Sequence, residues 1–382
     1  MQGEPHLSVV ATSRNDNHGG FLTPRMQHFV DGLAAQCRRH GLRAELVLVE
    51  WNPPAGRRPL AEELVWPAAG GPCEIRIVTV PRETHAKLAH ADKLPLYQMI
   101  AKNVGIRRAR GRFVLATNID ILFSDEVMRA MRDQLRTGHL YRVDRRDVPT
   151  AVPAGVDFDA VLEFCRREEF RLNATGFTLL KRDGRWQPGT PLAALLQTIW
   201  NAVGRALRRA RERLRQPSAS MAPLSQAAPR AVRGKLELLA WSAQWIYHGL
   251  IRRELFTNAC GDFTLLSRDD WFALRGYPEW PVYSMHLDSM LLYQAHRSAI
   301  REVYLGAAAP IYHIEHSPGS GFTPESSDKL FERLAAAGIP TLDWKRDLEP
   351  MIAKMGAGPK PVRYNDENWG YAGETFAEVR VA

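Results

Sequence analysis

Only four cysteines occur in 382 residues, and no two of them stand at CxxC spacing. Cys37, Cys73, Cys165 and Cys260 are far apart, and no histidines accompany them at zinc-finger spacing. They read as reduced, buried thiols, which excludes a disulfide framework or a structural zinc site. The N-terminus, MQGEPH, has no basic stretch followed by an apolar one, so no signal peptide is expected. No apolar run reaches the length of a membrane span. The nearest, Leu236 to Leu250, is broken by Glu237, Gln244 and His248. A GxGxxG fingerprint is also missing, which removes the support for a dinucleotide-binding Rossmann reading. There is no internal repeat, and no RRM, KH or helix-turn-helix motif is evident. On these grounds the expected location is the cytoplasm.

The sequence does contain the raw material of one large globular domain or one domain with a substantial insertion. Hydrophobic residues make up 45% and charged residues 24%. A formal charge of +9 suits anionic partners such as nucleoside diphosphates, acidic lipid headgroups or nucleic acid. Strand and helix patterns alternate through the first 135 residues, which implies a mostly parallel sheet covered by helices. Strands are expected at Leu7–Ala11, Ala44–Val49, Glu74–Val80 and Phe113–Thr117. Helices are expected up to Gly41 and over Leu96–Ala109. Further on, Glu254–Leu266 and Ile300–Tyr312 read as strand regions.

The middle differs. From 186 to 235 prolines recur, and Leu192, Leu195, Leu196, Ile199, Trp200, Val203 and Leu207 fall on one helical face. Arginines 205, 208, 209, 211, 213 and 215 follow. A basic amphipathic helix of this kind can lie on an anionic membrane surface, or it can be an insertion with a solvated arginine face. Four segments result: 1–185, the 186–235 insertion, 236–325, and a helical or irregular extension over 326–382.

The chemistry concentrates where strands should end. An apolar run, Phe113 to Thr117, stops at Asn118-Ile119-Asp120. Side chains at i and i+2 share a face of an extended segment, so Asn118 and Asp120 are expected to point at one divalent cation. Oxygen ligands suit Mn²⁺ or Mg²⁺, which often arrive with phosphates. The alternative is a strand followed by a turn, with Ser124 starting the next helix. The first strand runs into Thr12-Ser13-Arg14-Asn15, where Arg14 could reach a phosphate or simply face solvent. Asp288 is either a general base or a helix cap. His313 and His316, at i and i+3 before Gly319-Ser320-Gly321, are candidate metal ligands or core histidines, and the glycine-rich loop could act as a lid.

Taken in order, these segments resemble the GT-A-type nucleotide-sugar glycosyltransferases, in a bacterial, family-two-like style. Asn118-x-Asp120 is similar to their DxD motif, with Asn in the first position. Lys102-Asn103-x-Gly105-Ile106-x-x-Ala109-x-Gly111 resembles the segment before it. The resemblance covers residues 6–180 and 236–320, in motif order only. It implies a GT-A-like (Rossmann-like) α/β sheet in which 1–185 binds the donor and 236–325 binds the acceptor and carries out catalysis. Thr12, Ser13, Arg14, Asn15, Glu50, Lys102, Asn103 and Asn118 would lie at the donor. Asp120 with His316 or His313 would hold the metal. Asp288 would be the base of an inverting transfer, and Asp262, Tyr277 and Glu279 would line the acceptor side. A Gln-x-x-Arg-Trp signature is absent, which argues for single-sugar transfer. The implied reaction moves a sugar from a UDP- or GDP-linked donor to a glycan or lipid-linked acceptor, in cell-surface polysaccharide biosynthesis, at the inner face of the membrane. The rivals are a catalytically inactive GT-A scaffold and a basic nucleic-acid-binding protein. Nucleic acid is the less expected partner.

Overall fold

The computed structural model describes residues 4–17, 19–174, 177–188, 255–316, 327–356 and 360–382. Most of the basic insertion, the Leu236–Leu250 segment and the Gly319–Gly321 loop lie outside the described residues. The chain divides into two compact units, Met1–Thr175 with Phe256–Ala382, and Gly176–Leu255.

In chain order the first unit opens with β1 (Leu7–Ser13), α1 (Leu22–His40), β2 (Ala44–Trp51), α2 (Leu60–Glu63), β3 (Cys73–Val80), α3 (Arg82–His85), α4 (Gln98–Arg108) and β4 (Phe113–Thr117). It continues with β5 (Ile121–Phe123), α5 (Asp125–Asp133), β6 (His139–Arg142), β7 (Arg145–Val148), α6 (Phe158–Glu168) and β8 (Arg171–Ala174). In the second unit the described residues form a hairpin of β9 (Phe177–Arg182) and β10 (Arg185–Pro188). The first unit resumes with β11 (Phe263–Ser267), α7 (Arg268–Leu274), α8 (Leu287–Arg297), β12 (Arg301–Tyr304), β13 (Ile311–Ile314), α9 (Ser327–Ala336), α10 (Glu349–Lys354) and β14 (Ala377–Arg380).

The main sheet has the order β12-β6-β11-β4-β1-β2-β3-β14. Its centre, β3-β2-β1-β4, is parallel. Strand β11 runs antiparallel to β4 and β6, and β14 antiparallel to β3. Every residue of β1, β2 and β4 is buried, the condition of a sheet with both faces covered. Helix α4 packs tightly on it. A Cβ at Gly105 would lie 2.5 Å from Val10 Cγ1 and 3.0 Å from Val49 Cγ2. The mostly parallel α/β sheet flanked by helices is therefore as the alternation of patterns implied.

Three elements differ from expectation. Of the Glu254–Leu266 strand region only the part within β11 is extended, and the described residues before it, 255–262, are irregular chain, turn and 3-10 helix. Ile300–Tyr312 is not one strand. It splits into β12, which joins the main sheet, and β13, which joins a smaller sheet between β5 and β7. The break falls at Gly306, whose φ of 100° no strand accommodates. Residues 377–380 of the extension form β14, whose Ala-Glu-Val-Arg alternation is only four residues long and whose side chains are all exposed. What makes them a strand is the open edge of β3.

The topology sets the position of a ligand. The chain leaves β1 for β2 and β3 on one side, then crosses to β4 on the other. In open α/β sheets ligands bind beyond the carboxyl ends of the strands at such a reversal. The carboxyl ends here are Ser13 and Thr117. Arg14-Asn15 and Asn118-Ile119-Asp120 follow them directly, at the place where such a crevice lies in sheets of this kind.

Candidate functional site

Asp120 sits in a turn after β4 rather than on an extension of it, and its side chain is almost fully buried. Three cationic or imidazole groups surround one of its oxygens. Arg25 Nη1, from α1, donates to Oδ2 at 2.8 Å. His316 Nε2 lies 3.5 Å and His313 Nε2 3.9 Å from the same atom. The other oxygen, Oδ1, is buried without a hydrogen-bond partner.

Strand β13 brings the histidines there. It pairs with β5 so that His313 is opposite Ile121, and Ile314 N donates to the Asp120 carbonyl at 2.9 Å. Burial pushes the His316 imidazole down to a pKa of about 4, against the pull of Asp120, so it is neutral near pH 7. Burial and the Arg145 guanidinium oppose a proton on His313, but Asp120 and Asp147 outweigh them and raise its pKa.

The ligand atoms of Asp120, His313 and His316 lie within 4.8 Å of one another. One carboxylate and two imidazoles can hold a first-row divalent cation, the carboxylate suiting Mn²⁺ and the imidazoles suiting zinc or iron. The orphaned Asp120 Oδ1 is the kind of atom that a cation satisfies. By these tests the residues fit a divalent ion.

Asn118 does not join them. The chain is no longer extended at Ile119–Asp120, so the i, i+2 rule fails and the two side chains diverge. Asn118 Oδ1 accepts from Lys102 Nζ and Gln98 Nε2, both at 2.8 Å, and Asn118 Nδ2 donates to Asp262 Oδ1 at 2.5 Å. Both ends of the amide are committed to protein.

The partner of Asn118 is unusual. Lys102 is completely buried on α4 and also donates to the Gly261 carbonyl at 2.7 Å. Burial lowers its pKa to about 8, although Asp262, Asp288 and Asp120 all favour the charged form. Lys102 is thus a buried amine held by Asn118 and Gly261 within the field of Asp262, Asp288 and Asp120.

Asp288 lies in the first turn of α8 and is partly exposed, with Oδ1 accepting from Ser289 N at 2.8 Å. A Cβ at Gly261 would stand 3.0 Å from its Oδ2, so a glycine there leaves the carboxylate room.

The remaining expected donor residues are largely used inside the protein. Thr12 Oγ1 donates to the Val49 carbonyl at 3.1 Å, Ser13 Oγ accepts from Asn15 N at 3.2 Å, and Asn15 Nδ2 donates to the Arg58 carbonyl at 2.9 Å. Arg14 pairs with Asp16 at 3.0 Å and is partly exposed. Glu50 is buried at the end of β2. It accepts from Leu60 N at 3.0 Å, and burial raises its pKa.

Asn103 points away from the crevice. Its amide clasps the 276–279 turn, accepting from Tyr277 N and donating to the Tyr277 carbonyl and to Glu279 Oε1, each at 2.9 Å. Tyr277 is fully buried, 5.1 Å from the Trp271 ring centroid, so it offers no platform to a sugar. Glu279 is tied to Asn103 and to Gly370 N. Asp262, expected on the acceptor side, instead joins Asn118 and Arg145 (Nη1 to Oδ2, 2.6 Å).

Sequence reasoning missed Arg25, Arg145 and Asp147. Arg25 had one legible signal: an arginine among the apolar positions of α1 in the turn after the Gly19-Gly20 loop. No family model matches the sequence, and none of the curated proteins compared with it matches. Among solved structures, GalNAc-T7 with UDP, GalNAc and Mn²⁺ superposes with a TM-score of 0.40 at 12% identity, over 90% of this chain and 53% of that one. The chain thus spans about half the length of that protein. M. tuberculosis glucosyl-3-phosphoglycerate synthase superposes with a TM-score of 0.28 at 11% identity, over 88% of this chain and 82% of that one. At these scores neither likeness carries an argument about the site. Among the described residues no helix is long and apolar enough to cross a membrane.

Proposed function

We propose that this chain is a glycosyltransferase that moves a sugar from a nucleoside diphosphate donor, UDP- or GDP-linked, to a hydroxyl of a glycan or lipid-linked acceptor with inversion. The observation that carries the reading is the convergence of Asp120, His313 and His316 beyond the carboxyl ends of β1 and β4, with Asp120 and Asp288 both acting on the buried Lys102. Asp120, His313 and His316 would hold Mn²⁺ or Mg²⁺. The bound cation would offset the charge that grows on the departing diphosphate. Arg14 reaches the phosphates from the end of β1. Asp288 accepts the proton of the acceptor hydroxyl. That oxygen attacks the anomeric carbon, the bond from this carbon to the diphosphate oxygen breaks, and the nucleoside diphosphate leaves with the electron pair. Lys102 holds Asn118 and the Gly261 carbonyl in place. A cytoplasmic enzyme at the inner membrane face, acting in cell-surface polysaccharide synthesis, is consistent with the basic charge.

The test is turnover and donor binding in Asp288→Ala. Loss of turnover with nucleotide binding intact supports the reading, and retained turnover removes Asp288 as the base. A second reading has its own observation. Arg25 already supplies Asp120 with a cation at 2.8 Å, which favours a nucleotide-binding scaffold that needs no metal. It predicts nucleotide binding that Mn²⁺ leaves unchanged.

A further inference from the structure

A carboxylate that no sequence motif pointed to stands behind His313. Strand β13 lies between two neighbours. On one side it pairs with β5, next to Asp120. On the other it runs parallel to β7 with His313 directly opposite Asp147. The two nitrogens of the imidazole are therefore addressed by two different carboxylates. Nε2 is 3.9 Å from Asp120 Oδ2, and Nδ1 is 3.2 Å from Asp147 Oδ1.

Asp147 is fully buried and strongly anchored. Its Oδ2 accepts from Arg171 Nη1 at 2.9 Å and Asn173 Nδ2 at 3.2 Å, and Arg145 Nε lies 2.8 Å from Oδ1. His313 Nδ1 and Asp147 Oδ1 are both buried, and neither makes another aligned hydrogen bond. Asp147 Oδ1, which also faces Arg145 Nε, can accept from His313 Nδ1 after a small rotation of the ring. Two acceptors cannot face each other at this distance without repulsion, so a neutral His313 carries its proton on Nδ1. Its Nε2 lone pair is then left for the Asp120 side. Carboxylates that hold a histidine in this way raise its basicity and fix its orientation towards a metal.

We propose that Asp147 is a positioning residue that fixes the tautomer and orientation of His313, so that Nε2 is presented to a divalent cation beside Asp120. Arg145 and Arg171 act one layer further out by holding Asp147. The titratable groups around the His313 ring are Asp147 and Arg145 from β7, Asp120 from the turn after β4, Glu315 and His316 from beyond β13, and Asp262. This inference rests on reading Asp120, His313 and His316 as a cation site.

The test is Mn²⁺ affinity, read from the free-ion electron paramagnetic resonance signal. It compares the wild type, Asp147→Asn, His313→Ala and the double variant. Asp147→Asn leaves Arg145 its Asp262 partner at 2.6 Å and Arg171 its Glu315 partner at 2.8 Å, so neither arginine is stranded. Asp147→Asn should weaken Mn²⁺ binding about 10- to 100-fold. In the His313→Ala background it should cause no further loss, because Asp147 acts through that ring. An unchanged affinity, or an equal loss in both backgrounds, overturns the proposal.

A second measurement needs no folded Asp147 variant. In wild-type chain with ¹⁵N-labelled histidine, the neutral His313 ring should carry its proton on Nδ1. A proton on Nε2 overturns the proposal. If the wild type binds no Mn²⁺, the cation reading fails, and with it the proposal. If it binds Mn²⁺ with the predicted coupling but transfers no sugar, the proposed function fails and the role of Asp147 stands.

Discussion

Restoring an aspartate at the first position of the motif, Asn118→Asp, separates the geometry from the motif. A reading from the DxD pattern alone expects a second carboxylate ligand and tighter Mn²⁺ binding. The structure predicts the reverse. Asn118 Nδ2 donates to Asp262 Oδ1 at 2.5 Å, and the substitution replaces that donor with a carboxylate oxygen. A hydrogen bond to a charged group, roughly 1.5–3 kcal/mol, is lost. Two ionised carboxylates at that distance repel, which raises the affinity of the pair for a proton. The new ion pair to Lys102, 2.8 Å away, offsets part of the cost. A net loss of about 1–3 kcal/mol follows, and a melting temperature lower by roughly 1–4 °C for a chain of this size. The sign of the pH effect is fixed. The shared proton gives that pair a raised folded pKa, so the penalty is full at pH 7 and shrinks as pH falls towards 5. Thermal unfolding of both proteins at pH 5 and 7, with Mn²⁺ titrations, is the assay. Tighter Mn²⁺ binding at an unchanged melting temperature would make Asn118 a ligand and refute the site as described.

Lys102→Met tests the buried cation. The folded pKa of about 8 lies below the usual 10.5, so the unfolded chain binds the proton more strongly between those values and this group makes stability rise with pH there. The stability difference between wild type and Lys102→Met should therefore grow by about 3 kcal/mol from pH 8 to 10.5, and parallel urea-midpoint profiles would refute the assignment. Gly276→Ala tests the Asn103 clasp. Gly276 has φ 71° and its Cβ would collide with Asn103 Oδ1, so a loss of about 2–3 kcal/mol is expected in urea unfolding. An unchanged midpoint would mean that the turn is free to move.

The sequence carried the architecture because parallel strands buried on both faces are written as unbroken apolar runs, as in Leu46-Val47-Leu48-Val49 and Phe113-Val114-Leu115-Ala116. Asp120 and the two late histidines were legible as ligand types, and the structure brings them within 4.8 Å. Orientation was not legible. Whether Asn118 shares a face with Asp120 depends on where β4 stops being extended. Whether Tyr277 faces a sugar or the core depends on Trp271 and the α4 clasp, which are distant in sequence. Buried arginines were the least visible. Arg25 and Arg145 are written with the same letter as the solvated Arg129, and only their carboxylate partners across the fold distinguish them. Asp147 was missed for a related reason. Its role comes from the register of β7 against β13, a pairing across 166 positions (313 minus 147) that no local pattern encodes.

The central claim is a divalent cation and a nucleoside diphosphate bound together at Asp120. The most direct test is thermal unfolding with UDP, GDP, CMP and dTDP, with and without Mn²⁺, in wild type and Asp120→Ala. A ligand that binds only the folded chain raises its melting temperature by mass action. UDP or GDP should raise it only in the presence of Mn²⁺, and not in Asp120→Ala. A rise that persists without Mn²⁺ or in Asp120→Ala, or no rise with any nucleotide, would contradict the claim.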